Sequence, residues 1–163
     1  MQYSLRQIVF AALALPLFVC GCSGPSKPDG LPDRVPLEIT LTQDGKPLQE
    51  ATVQLVSPDV PWSITGNTDA HGTAKMVTHG QFAGVPPGPY KVVVIKRDVE
   101  STPTGDRKTQ TLKIYSLVDP KLSDRQTTTL ELMVEKGKKT TTLELGASDR
   151  VLLDTEIVPM SEF

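Results

Sequence analysis

The sequence of 163 residues has little aromatic, cysteine or histidine content. Aromatic residues make up 5% of it, and after residue 22 only Trp62, Phe82, Tyr90, Tyr115 and Phe163 remain. Both cysteines, Cys20 and Cys22, lie near the N-terminus, which excludes a disulfide or a thiolate metal site in the rest of the chain. His71 and His79 lack the i, i+4 spacing that sets two zinc ligands on one helix face, and no H-E-x-x-H or G-x-S-x-G occurs. Charge of one sign is also missing. Lys and Arg total 17 against 19 Asp and Glu; setting aside Arg6, the only charge before Cys22, leaves 16 basic groups. That balance excludes the electrostatic footprint of a nucleic-acid binder, and no polybasic run exists to hold a membrane surface by charge. The apolar run of residues 8–19 would reach about 18 Å as a helix, short of the ~30 Å hydrocarbon core.

What is present begins with that run. Residues 1–7 are polar and positive through Arg6 and the amino terminus, and residues 8–19 follow without a charge. This is the pattern of a secretory signal peptide. Val19-Cys20-Gly21-Cys22 then resembles the lipobox of bacterial lipoproteins, with an aliphatic residue, two small residues and the cysteine to be modified. The resemblance implies a diacylglyceryl group on the Cys22 sulfur, cleavage between Gly21 and Cys22, and N-acylation of the freed amine. Stable anchoring needs more than one acyl chain. Cys20 is the poorer candidate because bulky Phe18 and Val19 precede it. Ser23, directly after the modified cysteine, favours outer over inner membrane under the sorting rule known for some such lipoproteins. No other cofactor is expected. Residues 23–36 hold four prolines and two glycines without apolar periodicity, which reads as an extended, solvated tether.

The remainder alternates apolar and polar residues at period two. Val35, Leu37, Ile39 and Leu41 share one face, as do Ala51, Val53 and Leu55. Asp44-Gly45 between them is a two-residue hairpin signal. Thr68-Asp69-Ala70-His71-Gly72 marks a second turn, with Asp69 placed to accept a backbone hydrogen bond and Gly72 free to adopt positive φ. The run from Gly84 to Pro89 is a stiff turn into Tyr90–Ile95, apolar on both faces and so predicted to be a central strand. Residues 128–134 and 139–145 add two strands around a turn at 135–138. Residues 99–127 read as a long polar loop with a short strand or crossover near Ile114–Pro120, and the end of the chain adds at most a strand at Val151–Leu153. No segment shows helical periodicity, so the fold class is all-β: an antiparallel, seven-stranded, Greek-key-like sandwich. Residues 1–21 are the signal peptide, 22–34 the lipidated cysteine and tether, 35–154 the domain and 155–163 a tail.

The runs PLEITLTQDGKPLQEATVQLV, TDAHGTAKM and GVPPGPYKVVV together resemble the carboxypeptidase-regulatory-like, transthyretin-like module, over roughly residues 34–97. The resemblance implies a seven-stranded sandwich and, since these modules are usually non-catalytic, a binding or structural role. Asp119-Pro120-Lys121 and the strands after it resemble the C-terminal part of small lipoproteins with this module.

No catalytic residue is assigned. The related transthyretin-like hydrolases end in Tyr-Arg-Gly-Ser, whereas this chain ends Pro159-Met160-Ser161-Glu162-Phe163. The intradiol dioxygenase sandwich needs two Tyr and two His for iron, and here Tyr90 falls in a core strand. A Lys–Asn crosslink of the adhesin type would have only Asn67, in a turn. No metal site is expected. Trp62, after Pro61, is the one candidate ligand contact, since a loop tryptophan can stack on a sugar. The expected partners are therefore the membrane through the anchor, and an envelope protein or a glycan; nucleic acid is not among them. Two roles compete beside a general binding or structural module: a carbohydrate-binding module using Trp62, and an accessory subunit of an envelope or transport assembly, which a large exposed apolar patch would favour.

Overall fold

The computed structural model describes residues 27–105, 108–147 and 149–159. Residues 1–21, read as a signal peptide with its cleavage after Gly21, and Cys22, read as the lipidation site, lie outside the described residues. The strands in chain order are β1 (Glu38–Gln43), β2 (Lys46–Pro47), β3 (Thr52–Ser57), β4 (Val60–Asn67), β5 (Thr73–Lys75), β6 (Val77–Thr78), β7 (Phe82–Ala83), β8 (Gly88–Ile95), β9 (Arg97–Pro103), β10 (Thr109–Ser116), β11 (Glu131–Val134), β12 (Thr140–Glu144) and β13 (Val151–Pro159). A 3-10 turn spans Pro120–Ser123.

Two sheets enclose the core. In the first, β1 lies between β12 on one side and β2 and β5 on the other. In the second the order is β11-β8-β3-β4-β6-β7. Without the two-residue β2 and β7, and with β5 and β6 counted as one strand that changes sheets, seven strands build the sandwich. The period-two pattern locates the core correctly: Ile39, Leu41, Val53, Val92 and Val94 are fully buried. Burying such a side chain stabilises the fold by about 1.5–3 kcal/mol each. Val93, on the outer face of β8, is also buried. The 3-10 turn packs against β8 there, burying Leu122, and Ser123 donates to the Val94 carbonyl at 2.9 Å.

The connections differ from the expectation in several places. Asp44 and Gly45 take positive φ, 51° and 70°, as a tight hairpin requires, but the returning strand is only β2. The chain then crosses, and β3 belongs to the opposite sheet. Likewise β5 pairs with β1 while β6 pairs with β4, so the chain changes sheets at Met76, which is 2% exposed. The 135–138 turn joins strands of different sheets, and β12 pairs with β1 in parallel, from Glu38 opposite Thr140 to Thr42 opposite Glu144. A strand that arrives from the other sheet is free to join in either direction, so the antiparallel rule fails at this one pair.

The largest differences lie in residues 99–127 and at the C-terminus. Where a polar loop with a short strand or crossover near Ile114–Pro120 was expected, β9 and β10 form a hairpin, and β13, which contains the expected strand Val151–Leu153, pairs with the other edge of β10. The strand β13 runs to Pro159, through most of the segment read as a tail. These three strands make a separate sheet that projects from the sandwich. At the other terminus, Leu31, within the segment read as tether, is 3% exposed. The chain is therefore packed against the domain before residue 35.

Candidate functional site

The sandwich has two dissimilar ends, set by the direction of β8. The chain enters at one end, where Val35 and Val85 exchange backbone hydrogen bonds of 2.9 Å. Gly84 makes this approach feasible: at φ +91°, a Cβ there would come within 2.6 Å of the Val35 carbonyl oxygen. The other end of β8, at Ile95, runs through Lys96 straight into the projecting sheet.

At the entry end a row of rings and one cation lies across three segments. Arg34 donates from Nε to the Ala83 carbonyl at 3.2 Å, and its guanidinium carbon lies 5.3 Å from the centre of the Phe82 ring. The Phe82 and His79 rings are nearly parallel, 6.4 Å apart, and His79 meets Trp62 edge-on at 5.2 Å. His79 reaches this position from a left-handed conformation, φ 53°, with its amide bonded to the Ser63 carbonyl at 2.7 Å. Thr78, fully buried beside it, donates to the Gly84 carbonyl at 2.7 Å. Trp62 therefore sits on β4, not in a loop, and is half-buried. It borders a shallow groove of about 300 Å³ with Gln54, Ser57, Ser63 and Thr65. A larger groove of about 490 Å³ lies near the same end, between Pro58, Pro89 and the exposed Met133, with Lys91 and Glu131 beside it.

At the far end, the projecting sheet leaves Val99, Val151, Leu152, Leu153 and Ile157 open to solvent, Ile157 by 70%. Arg150, just before β13, ties the sheet together through Asp98 and Glu100 of β9 and the Tyr115 ring of β10. The Glu100 carboxyl is held below its ordinary value, first by the hydrogen bond from Arg150.

The remaining candidates from the sequence are placed apart. His71 is exposed in the turn after Thr68, whereas His79 belongs to the ring row. The Asp69 carboxylate accepts from the His71 and Thr73 amides at 2.8 and 3.0 Å, which lowers its pKa. It is a turn-forming residue with its acceptor capacity turned to backbone. Asn67 accepts from the Thr52 hydroxyl at 3.0 Å. Burial pushes the Tyr90 phenol up to about 12, and its hydroxyl donates to the Pro86 carbonyl at 2.8 Å. Among the described residues, no group of three or more His, Cys, Asp or Glu is placed to hold a metal.

Sequence reading missed the ring row, and of the projecting sheet it anticipated only a strand at Val151–Leu153 and a short strand or crossover near Ile114–Pro120. The row joins Arg34 to residues as distant as Phe82, and no spacing rule links them. The sheet had a partial signal: Leu112 and Ile114 alternate with Thr111, Lys113 and Tyr115. No family profile matches the chain, and neither the curated proteins nor the solved structures contain a significant match to it.

Proposed function

We propose that the chain is a non-catalytic, lipid-anchored module of the bacterial cell envelope that docks on a partner protein through its projecting sheet. The anchor reading is supported by residues 8–22: a short apolar run, then Val19-Cys20-Gly21-Cys22. The kinship proposed is with carboxypeptidase-regulatory-like lipoproteins, supported by the order of the Asp44-Gly45 turn, the Asp69–Gly72 turn and the proline-rich entry to β8.

The observation that carries the docking role is the distribution of exposed apolar side chains. Of the large apolar residues strongly exposed among the described residues, all but Met133 lie on the projecting sheet. They stand on both of its faces, Val99 and Val151 on one, Leu152 and Ile157 on the other, and exposed apolar side chains gathered on one small sheet favour an interaction site. Both outer strands, β9 and β13, also present backbone groups that an added strand can pair with. Among the two roles in competition, this favours the accessory subunit.

The test uses the protein made in its native host. A photo-crosslinking residue at Leu152 or Ile157 is expected to capture the same envelope protein, whereas one at Lys136, in the distant turn, does not. The unlabelled L152D/I157D variant is expected to lose copurification with that protein while keeping the thermal transition of the sandwich. Equal capture from Lys136, or undiminished copurification of the variant, would overturn the docking role. Intact mass spectrometry with Cys22→Ser alongside reads the anchor: a mature species starting at Cys22 with acyl mass, absent in the variant.

A further inference from the structure

We propose that the end of the sandwich bearing Trp62, His79, Phe82 and Arg34 rests against the surface of the bilayer in which Cys22 is anchored. The inference rests on the lipidation reading of Cys22.

Chain length is the first argument. Leu31 is packed into the domain, so the free tether ends there, although the composition of residues 23–36 suggests a longer one. From Cys22 to Leu31 an extended chain reaches at most about 32 Å. A hydrogen bond of 3.3 Å from the Leu31 amide to the Pro28 carbonyl folds part of that length back. Arg34 and Val35, which follow directly, are already seated on Ala83 and Val85. The lipid on Cys22 therefore draws one particular end of the sandwich towards the headgroups, and that end carries the ring row.

The chemistry of that end fits the interface. Tryptophan suits the headgroup level because its ring is apolar while its N–H still finds a polar partner. Arginine can lay its stem along apolar surface and keep its guanidinium in the polar layer. Arg34 is the one cation of the ring row and the acidic Asp33 precedes it in the chain, so the contact expected of the row itself rests on its rings and does not depend on anionic lipid. Trp62 is half-buried in the fold, which suits a shallow contact against headgroups and not a deep insertion.

Topology supplies the third argument. The strand β8 spans about 23 Å from Gly88 near the entry end to Ile95 at the root of the projecting sheet. With the entry end on the bilayer, the exposed apolar residues of β13 start on the opposite side, where a partner protein is met.

Trp62 is the only tryptophan, so its fluorescence reads the contact directly. Lipidated full-length protein from the native host is reconstituted into vesicles of phosphatidylethanolamine and phosphatidylglycerol. Some vesicles carry bromine high on the acyl chains. The expected result is quenching of Trp62 by the brominated lipid, undiminished by high salt, and no quenching in a W62F/L152W variant whose reporter sits on the projecting sheet. If the protein carries acyl mass and floats with the vesicles while Trp62 stays unquenched, the anchor stands and the docking is overturned. A shift of that unquenched emission with soluble oligosaccharides would then identify the ring as a sugar contact. Quenching of both reporters overturns the proposed orientation. Absence of acyl mass overturns the anchor and the docking with it.

Discussion

The guanidinium of Arg150 lies 3.7 Å from the centre of the Tyr115 ring, stacked upon it from one residue before β13 begins. The same group reaches Glu100 at 2.6 Å and Asp98 at 2.7 Å. One side chain thus joins the start of β13 to both other strands of the projecting sheet. Only a planar guanidinium can stack on a ring and serve two carboxylates at once; a lysine ammonium is a point charge. Arg150→Ala and Arg150→Lys are both expected to speed amide exchange in residues 151–159 several-fold. The thermal transition of the sandwich should not move. Exchange of that segment at the wild-type rate in both variants would assign no role to the clamp.

The same clamp sets a pH dependence. The Glu100 carboxyl is depressed in the folded sheet, so its pairing contributes fully above the ordinary value of 4.5 and is lost as pH falls through the lower folded value. Below pH 4.5, exchange of residues 151–159 in the wild type should therefore approach that of Arg150→Ala measured at the same pH. A gap between the two that persists unchanged into acid would contradict this.

Glycines 45 and 72 separate two costs. Both have positive φ, +70° and +73°, but a Cβ at Gly45 meets open space, whereas one at Gly72 would come within 2.6 Å of the Leu41 carbonyl oxygen. Gly45→Ala should cost about 1–2 kcal/mol, the penalty of a left-handed alanine. Gly72→Ala should cost clearly more, because β1 must also move. Denaturant unfolding of the two variants measures the difference, and equal costs would mean that the turn gives way freely.

Tyr90 predicts behaviour in alkali. Its phenol is raised to about 12 by burial, against an ordinary 10.0. The folded state therefore favours the proton. The contribution is complete below pH 10 and is lost as pH rises from 10 through about 12. Tyr90→Phe removes the hydrogen bond to Pro86 and should lower stability near pH 7 by about 1 kcal/mol. It should also flatten the decline between pH 10 and 12. A variant that declines as steeply as the wild type would place the alkaline transition elsewhere.

The sandwich was legible because burial alternates along strands such as β1, β3 and β11. In β1, Ile39 and Leu41 face inward while Glu38 and Thr40 stay half-exposed, and β3 repeats this with Val53 and Leu55. The turns were legible because Asp44-Gly45 and Asp69–Gly72 need particular residues for particular dihedral angles. Sheet membership was not. Nothing local tells β2 from β3 as the partner of β1, since that choice is made by packing across the core. The projecting sheet was hidden for the opposite reason. The strand β9 is exposed throughout, so it has no buried face to impose a period, and its pairing with β10 is written only in backbone hydrogen bonds. The rings suffered likewise: Trp62 stood out by rarity, but His79 came beside it, and Phe82 beside His79, only through the turn after Thr78.

The parallel seating of β12 on β1 has a bearing on when the fold can form. Thr42 bonds to Glu144, a residue 102 positions later, and Leu145 donates its amide to the Thr42 carbonyl. The first sheet thus stays incomplete until almost the whole chain is at hand. Contacts of such separation also slow folding. For a chain made from its N-terminus, this order of events postpones closure of the core until the last strands have been synthesised.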